Sequence, residues 1–70
     1  SIPLHSWLKE PALREWAQSL LNPELVKAQG ILNADVVDRI WKDYAERDVW
    51  RPQIWYLLMF QQWMQERRAG

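Results

Sequence analysis

His5 beside Ser6 is the one place in this sequence where a ring base neighbours a hydroxyl, and nucleophilic catalysis needs such a pair within hydrogen-bond reach, with a third group to orient the base. Adjacent residues of an extended segment point to opposite sides, and no positioned acid is evident, so His5 reads as a surface histidine. Asp35 with Asp38, and Asp43 with Glu46, are acid pairs at i, i+3 spacing. Arg39, Lys42 and Arg47 interleave with them, which makes them the solvated face of a helix rather than a pair of catalytic carboxylates. A phosphate cradle needs a glycine-rich loop, and Gly30 and Gly70 are the only two glycines. With no Cys and a single His, a zinc site would have to be completed by carboxylates, a poor match to the usual ligand sets. Six Trp could stack bases or sugars, but at helical spacing beside Leu and Ile they read as core. The residues themselves therefore nominate no catalytic, cofactor-binding or metal-binding position.

What positions these residues is a chain of 70, enough for one domain that buries only about 60% of the surface its unfolded chain exposes. Ring area offsets the small size: six Trp, two Tyr and one Phe, each able to bury roughly 150 to 250 Å². Nine Lys and Arg balance nine Asp and Glu, the signs interleave, and no basic stripe appears. Nucleic acid and anionic membrane surfaces are thereby disfavoured as partners. The sequence contains no internal repeat, low-complexity segment or domain linker. It opens SIPLHSWL without an initiator Met, which suggests processing or a piece of a longer protein.

The organising stretch is Arg51 to Met64. Ile54 to Phe60 are all apolar or aromatic, Trp63 and Met64 follow, and a helix through them would be apolar nearly all round. That predicts a central helix running to about Arg67, with Arg67 and Arg68 at the negative end of its dipole. It is too short for a bilayer, which takes roughly 20 apolar residues. Ahead of it, Ser1 to Leu4 should be extended because of Pro3, and Ser6 caps a turn presenting Trp7 and Leu8. Pro11 opens a helix whose Leu13, Trp16, Ala17, Leu20 and Leu21 share one stripe, with Arg14, Glu15 and Gln18 opposite. Asn22, Pro23 and Glu24 start a short helix that buries Leu25 and Val26 and stops at Gly30. Ile31 and Leu32 anchor the connection with their apolar side inward. Asn33 caps a helix burying Val36, Val37, Ile40, Trp41 and Tyr44 to about Ala45, and a polar loop, Glu46 to Asp48, leads to Trp50 and Pro52. The expected fold is all-α: four helices plus a short leading turn, with an aromatic-rich core centred on the C-terminal helix. Its structural residues are Leu13, Trp16, Leu20, Val37, Ile40, Trp41, Trp55, Leu58 and Trp63.

The same features, in the same order, resemble the C-terminal part of the synthetase domain of glutamine-dependent asparagine synthetases and their amidotransferase relatives. In that family a Gly-Phe loop precedes an extended hydrophobic-Pro segment and a Trp-Leu pair, matched by Ile2, Pro3, Leu4, Trp7 and Leu8. A Pro-x-Leu-Arg-x-Trp helix follows, matched by Pro11, Leu13, Arg14 and Trp16. Leu20, Leu21, Pro23 and Glu24 match a Leu-Leu-x-Pro-Glu segment, and Gly30, Ile31 and Leu32 a Gly-hydrophobic-Leu step. A helix carrying Val37 comes next. Ile54, Trp55, Leu57, Leu58, Met59, Phe60 and Trp63 match the closing helix, in which Ile54 replaces a Leu and Gln61 stands where relatives often have an acid. The resemblance spans nearly all of residues 1–70 as a single helical domain.

What the resemblance implies is a parent that makes asparagine from aspartate, glutamine and ATP through an aspartyl-adenylate, with magnesium and in the cytoplasm. Its catalytic Cys and its Ser-Gly-Gly-x-Asp-Ser phosphate loop are absent from these residues, so no functional position of the family carries over. The expected partner is the remainder of the synthetase, with self-association of the chain through apolar residues near its N-terminus and Trp50. Two other functions fit the same residues: the equivalent region of an amidotransferase acting on another carboxylate, and a free-standing helical interaction module.

Overall fold

Side-chain caps and backbone stops set the helix boundaries. The computed structural model describes residues 4–69, and the side chains of residues 5–67. Its helices are α1 (Leu4–Trp7), α2 (Pro11–Leu20), α3 (Pro23–Gln29), α4 (Ala34–Arg47) and α5 (Gln53–Ala69). Pro11 and Pro23 occupy the first turns of α2 and α3, where a missing N–H costs no helical bond. The Asn22 side chain accepts from the Glu24 N–H at 2.8 Å, and that of Asn33 from Asp35 and Val36 at 3.0 and 3.2 Å. Gly30 ends α3 in the left-handed region at φ 69°, a conformation that costs glycine little.

Four helices and a one-turn leading segment form an all-α bundle, as the periodicity predicts. α4 packs against α3 and α5, and α2 packs against α5. Leu8, Ala17, Leu20, Leu21, Val26, Val37, Trp41, Tyr44, Ile54 and Leu58 make the core, with Leu13, Trp16, Ile40, Trp50 and Leu57 half-buried against it. Trp41 and Tyr44 lie with ring centroids 5.6 Å apart, and Tyr44 meets Trp50 edge-on, also at 5.6 Å. The radius of gyration is 11.8 Å, close to the roughly 11 Å expected of a folded chain of this length.

Several expectations are corrected. α5 is not covered all round: Ile54, Leu58 and Gln61 form its buried stripe, while Tyr56 is 71% and Trp63 50% exposed. α2 and α4 cover one side, and no described element covers the other. Trp63 therefore stacks only along its own helix, tilted on Phe60 and beneath the Arg67 guanidinium at 4.9 Å, and is not a core anchor. Ile31 and Val36, expected to face inward, are also exposed. Leu4–Trp7 is helical where an extended Leu4 and a later turn were expected; α4 reaches Arg47 and α5 reaches Ala69. The extended conformation expected of residues 1–3 and the Arg68 side chain lie outside the described residues.

Candidate functional site

Two features of the surface combine residues from distant parts of the chain. The first surrounds Asp48, which ends α4 in the left-handed region at φ 59°. His5 Nε2 donates to Asp48 Oδ1 at 2.7 Å, and Lys9 Nζ sits 3.0 Å from the same oxygen. The hydrogen bond from His5, then that from Lys9, holds the Asp48 carboxyl below its ordinary range. Tyr44 donates its hydroxyl to the His5 carbonyl, and burial pushes the Tyr44 phenol above its usual value. The His5 ring meets Tyr44 edge-on at 5.5 Å and lies tilted against Trp50 at 6.0 Å.

An acid is thus positioned on His5, which the local sequence did not show. The described contacts of the dyad are with structural neighbours. A hydrolytic base needs its other nitrogen aimed at a nucleophile, and the described hydrogen bond of the His5 ring goes to Asp48 alone. Its contacts tie the leading turn to the end of α4.

The second feature is a groove of about 310 Å³ between α1, α2 and α5, lined by Trp7, Leu8, Leu13, Trp16, Trp55 and Met59. Its walls are almost wholly apolar, with no convergent polar groups to orient a ligand. Among the described residues no three His, Asp or Glu side chains are arranged to hold a metal ion. The almost wholly apolar walls of the groove present no group suited to ATP phosphates or magnesium.

The outer face of α4 carries ordinary ion pairs: Lys42 to Asp38 at 3.0 Å, Arg51 to Asp43 at 2.9 Å and Arg47 to Asp43 at 3.9 Å. The Asp38 hydrogen bond raises the Lys42 ammonium above its usual range. Of the residues named from periodicity, Leu20, Val37, Trp41 and Leu58 are buried, and Leu13, Trp16, Ile40 and Trp55 are half-buried. Trp16 and Trp55 meet at the groove, whereas Trp63 is separate from it.

Three contacts escaped the sequence. Arg14, assigned to the solvent face of α2, donates from Nη2 to the Ala45 carbonyl at 2.8 Å. Gln61 is fully buried and donates from Nε2 to the Leu20 carbonyl at 2.8 Å, closing the C-terminal end of α2. Asp48 is the third. The available signal for it was an acid at a helix end where Gly or Asn is usual.

Neither a curated protein nor a solved structure matches the chain. One family description does, as asparagine synthase, over residues 1–65, a stretch that takes in α1 to α4 and most of α5. The match covers most of the chain, and the chain belongs to the asparagine synthase family.

Proposed function

We propose that the chain is the helical C-terminal part of the synthetase domain of a glutamine-hydrolysing asparagine synthetase acting in the cytoplasm. The rest of that enzyme would bind ATP and magnesium, activate aspartate as its adenylate and supply ammonia from glutamine. The observation that carries this reading is the family match over residues 1–65. These residues would do no chemistry: their role is structural, covering the nucleotide-binding sheet and bracing the loop that leads into them. The apolar groove and the uncovered side of α5 support that role, since both present aromatic surface with few polar groups. No described helix is long and apolar enough to cross a membrane.

The coding sequence upstream of Ser1 tests the proposal. It requires a Ser-Gly-Gly-x-Asp-Ser loop for the ATP phosphates and an N-terminal Cys for glutamine hydrolysis. A coding sequence without the phosphate loop would overturn it, and one with the loop but without the Cys would remove glutamine as nitrogen donor.

A further inference from the structure

Asp48 is an uncommon residue where it stands, on two local grounds. A left-handed position after a helix is ordinarily glycine or asparagine, and this chain uses Gly30 for the same purpose at the end of α3. A negative charge at a helix C-terminus also opposes the dipole. What compensates is distant in sequence: His5 and Lys9 both converge on Asp48 Oδ1, at 2.7 and 3.0 Å. His5 comes from the leading turn, and Lys9 from the stretch that follows it beyond Leu8. That turn is one helical turn of four residues, far below the length at which a helix holds by itself.

The turn also supplies a wall of the groove. Trp7 lines it and is 46% exposed, while the next residue, Leu8, is 2% exposed and seated in the core. The chain from Leu4 to Trp7 is consequently anchored at one end by Leu8 and along its length by contacts through His5. Those contacts are the Asp48 carboxylate, the Tyr44 hydroxyl on the His5 carbonyl and the Tyr44 and Trp50 rings.

We propose that Asp48 is the latch of a strap: by holding His5, with Lys9 just beyond Leu8 as a second tie, it keeps the Leu4–Trp7 turn seated, and its release loosens Trp7 from the apolar groove. The latch pairs are exposed, so salt screens them. The groove is then more open at high ionic strength than at low.

The test is ¹⁹F NMR of the full chain labelled with 5-fluorotryptophan, the six tryptophan resonances assigned by single Trp→Phe variants. In Asp48→Asn, which keeps a residue tolerant of positive φ, the Trp7 and Trp50 resonances should move while that of Trp41, in the core, stays. Raising salt to about 1 M, where the Debye length is roughly 3 Å, should move Trp7 of the natural chain the same way and leave the variant unchanged. Asp48→Gly is the second variant: it relieves the left-handed position and should hold or raise the melting temperature, yet still free Trp7. An unmoved Trp7 in Asp48→Gly, which removes the acceptor that Asn would keep, overturns the latch. So does a joint movement of all six resonances, which would make Asp48 a residue of general stability.

Discussion

Gln61 is the residue whose burial carries the most consequence. Its amide is fully enclosed, Nε2 serves the Leu20 carbonyl and Oε1 has no partner among the described residues. Replacing it with Leu leaves that carbonyl unpaired, which should cost about 1 to 3 kcal/mol, offset in part by removal of the unpaired oxygen. Gln61→Glu behaves differently. A protonated carboxyl can still donate to Leu20, whereas a buried carboxylate cannot, so the folded-state pKa should lie above the unfolded value of about 4.3. The folded variant then binds more protons, and its stability falls as pH rises. Urea unfolding at acid and neutral pH should show the Gln61→Glu deficit growing towards neutrality; a constant deficit would contradict this. Asp48 carries the opposite sign. Its folded-state carboxyl is lowered, so its contribution is present above the unfolded value and lost as pH falls through the folded one. The melting difference between the natural chain and Asp48→Asn should accordingly vanish in acid.

Among the elements, α5 decides how burial and aromatic content part company. The unbroken apolar run Ile54 to Phe60 suggested burial all round, but a helix with neighbours on one side buries only one stripe. Leu58→Ala, at a fully buried position of that stripe, should cost about 2 to 5 kcal/mol. Trp63→Ala removes a larger side chain from a half-exposed site and should cost less than Leu58→Ala, chiefly through its stacking with Phe60 and Arg67. Thermal melts of the two variants rank them; a greater loss at Trp63 would mean that α5 has a covered second face. Trp55, half-buried at the groove, should fall between them.

At the scale of the whole molecule the uncovered surface is a stripe on α5, Tyr56, Met59 and Trp63, continued across the groove by Trp7. Of the patch expected from sequence, Trp7 is exposed, Leu8 is buried and Trp50 is half-buried against Tyr44 and His5, while Ile2 and the Leu4 side chain lie outside the described residues. Concentration-dependent sedimentation should reveal weak self-association, reduced in a Tyr56→Ser, Trp63→Ser variant. Association that this variant leaves unchanged would place the contact elsewhere. Calorimetric titration with Mg-ATP should give no binding heat, since no described cradle would hold the phosphates. The sequence by itself determined the helices, because caps and breakers act within a few residues: Asn22, Pro23, Gly30 and Asn33 each do their work inside one turn. It also determined the stripe of α2, and it carried enough of the family's pattern for the resemblance to asparagine synthases to be read from it. Only the tertiary structure decided which side of α5 is covered, and that His5 meets Asp48, Arg14 reaches Ala45 and Gln61 closes α2. Those contacts join residues 31 to 43 positions apart, and periodicity reports the face a residue occupies on its own helix but not which neighbour arrives there.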